Sequence, residues 1–595
     1  MIQSDEVEKA TLDAISLPSY IPSPTAWEVL LNGAILSQTE TPQDLLRRVI
    51  DTLFLVESSF NTPKERIKQM KYQFAEHLVE GYCMLGTPIL TNAGRYQSAL
   101  ASCAIIPVDL LIPGNTIMEE TICSYYRQNM GSGFNLTSSP YPVSLLRWLN
   151  NLSSNETATG KYDRYIGNMG LLHISHPAIQ AFIACKRQTN MSHFNISVDI
   201  TEQFMDKAKQ DEKFLLSDGT SINARGLLRQ MAENAWYNGE PGLIFLDRMN
   251  RDNPLAGISE FVSTPPCAEM GLAEGETCHF GYLNLHRFVR GYGASAMIDY
   301  NELQEVTCLL TRVLDNAVEY SIPRYPTKVS ADIARMKRRI GIGVCGLADM
   351  LLAFDLSYET PEARSLTRDI LSFISYTSKC ASTELAEQRG SCTAMDVPSL
   401  NKYLSGHFLE EKYSHYPTNT VSSEEWVTLA NTIRGKGLRN ISTTALPPTG
   451  RASRLLDTTS SIEPFLSLTD SKGHIHQPIK DFLTVKLQAN ETIIEDVCWE
   501  AIRSGSFQHI SVLPSSVRDR LKMATEIAPE AQVRMVAEIA GMHGVVDESA
   551  SKTVNLPHKA TVDDVEKIFL LAYDLGLKNI SVYRVQAMMN QTTPF

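Results

Sequence analysis

The chain contains no two cysteines in C-x-x-C spacing, although it has 11 cysteines in 595 residues. They are scattered (Cys83, Cys103, Cys123, Cys185, Cys267, Cys278, Cys308, Cys345, Cys380, Cys392, Cys498) and odd in number, which argues against a zinc knuckle and against a secreted disulfide framework. No metal ligand set is expected, and a reducing cytoplasmic compartment is what this cysteine usage implies. An apolar run long enough to span a bilayer is also missing. The opening Met1-Ile2-Gln3-Ser4-Asp5-Glu6 lacks the basic-then-apolar layout of a signal peptide, so no membrane partner is expected. There is no excess of basic residues either: the net charge is -13, which speaks against a nucleic-acid polymer as partner. A phosphorylated small molecule remains in reach, because a helix N-terminus binds phosphate locally.

What is present is the composition of a globular protein, 43% hydrophobic and 20% charged, enough for several domains or one large α/β domain with helical additions. Thr41-Pro42-Gln43-Asp44 has the form of a helix start, with Thr as N-cap, Pro at the first position and Asp in place of the usual Glu of a capping box. Leu45, Leu46, Val49, Ile50 and Leu53 then keep a helical period. Thr561-Val562-Asp563-Asp564 repeats the signal, with Val565, Ile568, Phe569, Ala572 and Leu575 as the buried stripe and Gly576 as the stop. Short apolar strands are predicted at Phe194 to Val198, Leu243 to Leu246, Ile340 to Val344 and Ile580 to Tyr583. Helix and strand in alternation imply a large sheet or barrel covered by helices. No internal repeat is evident, and the polar stretch Asn150 to Arg164 reads as a flexible loop.

The most informative segment is Ser263-Thr264-Pro265-Pro266-Cys267-Ala268-Glu269, with Thr277-Cys278-His279-Phe280-Gly281 close behind. It sets a thiol one residue from a carboxylate. If a strand or finger-like loop carries them, both project to one side, since side chains repeat every two residues. The bland alternative is a Pro-rich turn with a core cysteine. Gly86-Thr87-Pro88, followed by Ser102-Cys103, offers hydroxyls beside a tight turn, and Gly131-Ser132-Gly133-Phe134-Asn135 is a weak Gly-rich signal. Pro447-Pro448-Thr449-Gly450-Arg451-Ala452-Ser453 leads towards a helix with hydroxyls, a glycine and an arginine, the pattern expected where backbone N–H groups and a guanidinium receive phosphate. A plain N-capped helix with a solvated arginine fits those residues equally.

Taken in order along the chain, these segments resemble the large catalytic subunit of ribonucleotide reductases, from about Thr25 to Val585. The likeness is carried by Gly86 to Gly94 with Ser102-Cys103, Gly131 to Asn135, Asn168-Met169-Gly170 with His176-Pro177, and Phe194 to Val198. It continues through Pro241 to Arg248, Pro266 to Glu269, Cys278 with Asn284-Leu285, Arg339 to Gly343, Arg439-Asn440, Pro448-Thr449-Gly450, Ser461 to Pro464, Ser551 to Pro557 and Val582-Tyr583-Arg584. The resemblance implies an α/β fold: a ten-stranded α/β barrel of the ribonucleotide reductase and glycyl-radical enzyme type, with a central finger loop. An N-terminal helical region without an ATP cone would occupy residues 1–80, and the barrel with helical insertions residues 81–595.

The resemblance also implies roles. A thiyl radical at Cys267 would remove the 3′ hydrogen of a ribonucleotide, and Glu269 would act as base on the 3′ hydroxyl. Cys103 and Cys278 would supply two reducing equivalents and end as a disulfide. Thr87, Ser102, Pro265 and the run Pro448, Thr449, Gly450, Arg451, Ala452, Ser453 would contact the substrate. The short spacing from Cys267 to Cys278, the absent ATP cone and the Val-Tyr-Arg ending, with one tyrosine where iron-dependent relatives carry two, are similar to the adenosylcobalamin-dependent class. Adenosylcobalamin is then the expected cofactor, an external dithiol such as thioredoxin the expected reductant, and a homodimer the expected assembly.

Departures stand out in four places. Pro265 occupies the Asn position, and Ala268 the Gly position, of the family pattern Asn-Pro-Cys-Gly-Glu; Arg451 stands at a usual Thr. Pro140 to Gly170 lacks the Gly-rich loops that sense a regulatory nucleotide, and Gln591 to Phe595 carries no tail cysteine pair. Two other readings stay open beside a reductase: a radical enzyme using the Cys267 thiyl on a nucleotide or sugar phosphate for another outcome, and a non-catalytic nucleotide-binding relative.

Overall fold

The computed structural model describes residues 15–107, 116–159, 165–187, 189–399, 401–470 and 473–585. The two terminal segments read above, 1–6 and 591–595, and the end of the polar stretch, 160–164, lie outside the described residues.

Local signals act as their chemistry dictates. The Thr41 hydroxyl accepts from the Asp44 N–H while the Asp44 carboxylate accepts from the Thr41 N–H at 3.0 Å, and the helix Pro42–Leu55 follows. Thr561 and Asp564 form the same reciprocal cap ahead of the helix Val562–Asp574. Gly576, at φ 75°, then turns the chain into a strand. Helices Pro24–Asn32, Pro42–Leu55 and Lys64–Val79 precede the first strand, β1 (Cys83–Leu85).

Five strands run parallel as consecutive neighbours: β2 (Cys103–Ile105), β3 (Gly131–Asn135), β4 (Asn168–His173), β5 (Phe194–Asp199) and β6 (Gly242–Ile244). A second set follows: β7 (Thr277–Cys278), continued after His279 by β8 (Phe280–Asn284), then β9 (Gly341–Cys345), β10 (Thr553–Leu556) and β11 (Asn579–Arg584). Within it, β8 pairs with β9 and β10 with β11, both in parallel. Parallel bridges Ile342↔Thr444 and Leu446↔Ala550 insert residues 443–446 between β9 and the chain leading into β10. The two sets meet antiparallel at both ends, Cys103↔Cys278 and Ile580↔Leu243. Pairing therefore runs in a ring of ten staves, two five-stranded parallel halves of opposite direction, with β1 pairing further along the same edge of the β7–β8 stave that β2 pairs with.

The ring has two faces because side chains alternate. Phe134, Phe194, Ile196 and Val198 point outward into the helix layer, where the Phe134 and Phe194 rings sit 5.5 Å apart. Gly131, Gly133, Asn195 and Asn579 face the interior, as their contacts below show.

One expectation is corrected. Residues 150–158 belong to the helix Pro142–Ala158, not to a loop. Its second half hides its burial behind polar residues: Asn150 and Ser153 are buried, and the Ser153 hydroxyl joins Tyr126 Oη at 3.0 Å and Asn168 Nδ2 at 3.1 Å. Low hydrophobicity there reflects a satisfied polar contact rather than exposure.

Candidate active site

Residues 262–272 enter the ring as a finger. Its base closes with the antiparallel bridge Ser263↔Leu272, and its tip is a turn in which the Ala268 N–H donates to the Pro265 carbonyl at 3.0 Å. Pro266 sits at the position of such a turn where a fixed φ is favoured. The two-residue alternation that would place Cys267 and Glu269 on one side therefore has no force here, because the tip is not extended. Ala268 holds φ 57°, a left-handed conformation that costs a non-glycine residue about 1 kcal/mol or more.

Four staves hold the finger. Gly131 and Gly133 let it lie directly against β3: a Cβ on Gly133 would come within 2.3 Å of the Thr264 carbonyl oxygen, and one on Gly131 within 3.4 Å of both Pro266 Cγ and Cys103 Sγ. The weak Gly-x-Gly of the sequence is thus a close-approach site, not an anion loop. Asn135 Nδ2 donates to the Val262 carbonyl at 2.8 Å, Asn195 Nδ2 to Pro266 at 3.0 Å and Asn579 Nδ2 to Ala268 at 2.6 Å. The Ser549 N–H donates to the Glu269 carbonyl at 3.0 Å. Because the contacts come from both halves of the ring, the tip sits inside it.

The base of the finger is fixed by charge. Glu276 is buried with Arg339 Nε at 2.7 Å and Lys337 Nζ at 2.7 Å, and Arg339 also pairs with Glu548. Burial alone would raise the Glu276 carboxyl, but Arg339 and Lys337 hold it below the usual carboxylate range. Both cations lie over the Phe261 ring, at 5.1 and 5.5 Å from its centre.

Cys103 and Cys278 face each other as Cα partners in the antiparallel pair of β2 and β7. Such partners are about 4.5–5.5 Å apart, inside the range a disulfide spans. Both are free thiols. Burial and the neighbouring Cys103 thiol push Cys278 well above the ordinary thiol range, so at neutral pH it is protonated. Cys103, Cys278 and Glu269 are closed from solvent, whereas Cys267 is half-buried.

The remaining sequence-selected residues gather at one end of the ring. The Gly86 N–H donates to the Phe280 carbonyl at 2.9 Å, and Thr87 opens the helix Thr87–Asn92 beside Ser102, whose N–H donates to Cys278 at 2.8 Å. A Cβ on Gly86 would lie 3.6 Å from Ser102 Oγ. Thr449 precedes the helix Gly450–Leu455, which packs on β1 and so lies beside the chain entering Gly86-Thr87. Thr449 is not a side-chain cap of that helix; its hydroxyl accepts from the Ser461 N–H at 2.7 Å. Ala452 and Ser453 are buried, Pro448 and Gly450 exposed, and Arg451 half-exposed. Pro265 is buried in the finger, and its carbonyl is taken by the turn.

Asn135, Asn195, Asn579 and Ser549 were missed as functional positions. For the three asparagines the signal was available, since an asparagine at an alternating position of a strand must satisfy a buried amide and an inserted loop backbone supplies the acceptors, whereas Ser549 acts through its backbone N–H and leaves no such signal.

A family model described as "Ribonucleotide reductase, barrel domain" matches residues 129–583. A vitamin B12-dependent ribonucleoside-diphosphate reductase of Thermoplasma acidophilum is 28% identical, over 96% of this chain and 73% of that protein. One of the same description from Mycobacterium tuberculosis is 28% identical over 86% of this chain and 70% of that protein. Among solved structures, the Actinobacillus ureae class Id ribonucleotide reductase alpha subunit superposes with a TM-score of 0.73 at 18% identity, covering 95% of this chain and 97% of that one, a likeness of fold. With the finger inside a ring of two antiparallel five-stranded halves, and with the family model covering most of the chain, this protein belongs to the ribonucleotide reductase barrel-domain family.

Proposed function

We propose that the chain reduces a ribonucleotide to its 2′-deoxyribonucleotide by thiyl-radical chemistry, with adenosylcobalamin as radical source. The observation that carries this reading is that the finger bearing Cys267 and Glu269 is seated inside the same ring that sets Cys103 opposite Cys278. The residues fit the cofactor's chemistry: among the four, Cys267 alone keeps partial exposure, so an external radical source reaches the thiol that must react first. The strand β11 also presents Tyr583 between Val582 and Arg584, with no second tyrosine beside it. When bound, adenosylcobalamin supplies the radical that Cys267 carries.

The chain's own residues account for the remainder. The Cys267 sulfur takes the 3′ hydrogen atom, and Glu269 takes the 3′ hydroxyl proton, which weakens the bond to the 2′ oxygen. That oxygen leaves as water. Cys103 and Cys278 give up two hydrogen atoms in total and become a disulfide, which balances the lost oxygen, and Cys267 returns its hydrogen to C3′ and is left as the thiyl radical again; an external dithiol such as thioredoxin reduces the disulfide. A protonated Cys278 suits hydrogen donation better than nucleophilic attack. The ring interior excludes water from the radical. The segment from Thr449 to Ser453, with Thr87 and Ser102, would receive the substrate phosphates. The relatives' names make ribonucleoside diphosphates the first substrates to try. A second copy of the chain as a dimer partner is part of the same proposal. Among the described residues no helix is long and apolar enough to cross a membrane.

Pro265 favours a second reading. It stands where the family carries an amide side chain, and proline offers no donor to a sugar hydroxyl. A radical enzyme of this fold with a different product is the alternative. The test is incubation with adenosylcobalamin, a dithiol and each ribonucleotide in turn. A 2′-deoxy product supports reduction; cofactor cleavage with substrate loss but no such product supports the alternative.

A further inference from the structure

Asn579 occupies an unusual place between the finger and the ring. It opens β11, is 7% exposed, and lies opposite Ile244 of β6. Its Nδ2 reaches three acceptors: the Ala268 carbonyl at 2.6 Å, the Ser549 hydroxyl at 2.7 Å and the Ala550 carbonyl at 3.2 Å. Two of these are carbonyl oxygens that only accept, so the amide nitrogen must be the atom facing them. The backbone behind it is tied down, since the Phe245 N–H donates to the Lys578 carbonyl at 3.0 Å and Lys578 Nζ reaches the Glu548 carbonyl at 2.7 Å. Ser549, a partner of Asn579, holds the Glu269 carbonyl through its own N–H. The carbonyl that Asn579 takes most closely belongs to Ala268, the residue between the thiol and the carboxylate, at φ 57° without being glycine.

We propose that Asn579 is a positioning residue. By gripping the Ala268 carbonyl it stabilises a left-handed turn that an alanine adopts poorly, and so seats Cys267 and Glu269 inside the ring. The strain at position 268 and the grip from position 579 are two halves of one device. The inference rests on the reading of Cys267 as the reacting thiol, but its test does not need turnover.

The experiment measures alkylation of Cys267 by iodoacetamide in the full-length protein without cofactor, followed by peptide mass spectrometry across a pH series. The half-buried Cys308 and Cys380 serve as internal references. In Asn579→Ala, Cys267 should react roughly tenfold faster, the scale of one lost buried hydrogen bond, while Cys308 and Cys380 keep their rates. Ala268→Gly in the same chain should return Cys267 to within about threefold of the native rate, because glycine adopts positive φ without help. Asn579→Asp, of the same size but without the amide donor, should behave like Asn579→Ala and be rescued likewise, which covers a failure of the alanine variant to fold. A native Cys267 rate in a folded Asn579 variant overturns the proposal, and so does a double variant that stays as fast as the single one. If the native protein forms no deoxynucleotide, the reductase reading fails on its own, and the labelling result still decides the role of Asn579.

Discussion

Gly133→Ala is the smallest change that should disable the site without touching a reacting group. The added Cβ would stand 2.3 Å from the Thr264 carbonyl oxygen and 2.5 Å from Ile105 Cδ1. A close carbon–oxygen contact is about 3.3 Å, so strand and finger must part by roughly 1 Å. Ile105 can change rotamer, but the Thr264 carbonyl is backbone, flanked by the Ser263↔Leu272 bridge and the tip turn. Overpacking of this kind costs about 1–3 kcal/mol. A displacement of about 1 Å at the reacting groups costs on the order of 10²-fold in rate. The assay pairs the rate of 2′-deoxynucleotide formation at saturating substrate with a thermal unfolding scan. We expect kcat to fall by about 10²-fold while the unfolding temperature drops by only a few degrees. Gly435→Ala is the control: it lies within the helix Ser423–Lys436 with nothing within 4 Å of its Cβ position, so it should keep full activity and gain about 0.5–1 kcal/mol. Full activity in Gly133→Ala would refute the seating of the finger on β3.

Three further outcomes follow from buried charge and from the finger. Burial, with Asp247 nearby, pushes the Asp199 carboxyl up to about 7. A raised carboxyl contributes stability below its unfolded pKa of about 3.9 that is lost as pH climbs towards 7, so Asp199→Asn should flatten that slope. At pH 8 the variant should be the more stable, by up to about 4 kcal/mol, in denaturant titrations at pH 5 and 8. Asp547 is the opposite case: despite burial, Lys379 and Lys412 hold its carboxyl far below the usual range, so its stabilisation is present above pH ~4 and fails in acid. Asp547→Asn should cost about 3–5 kcal/mol at neutral pH, and a neutral result by chemical denaturation would contradict the ion-pair account. Pro265→Asn restores an amide at the finger; if reduction is the native reaction, deoxynucleotide formation should persist or rise, and its complete loss would favour the alternative chemistry.

Much of this was legible in the chain itself, for identifiable reasons. Capping boxes at Thr41 and Thr561 are local chemistry, so the helices they start were predictable to within a residue. The strand at Phe194 was visible because its outward side chains are large and apolar; its inward Asn195, which donates to the finger at Pro266, looked like noise. The pairing of Cys103 with Cys278 came from the resemblance, as nothing local links residues that far apart. Arrangements made by distant contacts stayed hidden. The turn at Cys267 breaks the alternation expected of an extended finger, Gly133 owes its identity to a loop more than a hundred residues away, and Asn579 acts at the far end of the chain from Ala268. The helix over 150–158 was hidden because its buried face is polar.

The most direct test of the central claim is a turnover experiment with no external reductant. Pre-reduced protein, adenosylcobalamin and a ribonucleoside diphosphate are mixed, the deoxynucleotide is counted, and the cysteine pairing is mapped by mass spectrometry. We expect a single deoxynucleotide per chain, matched by a peptide bridged between Cys103 and Cys278, with both lost in Cys267→Ser. Deoxynucleotide formed while Cys103 and Cys278 stay reduced, or product formed undiminished by Cys267→Ser, would contradict it.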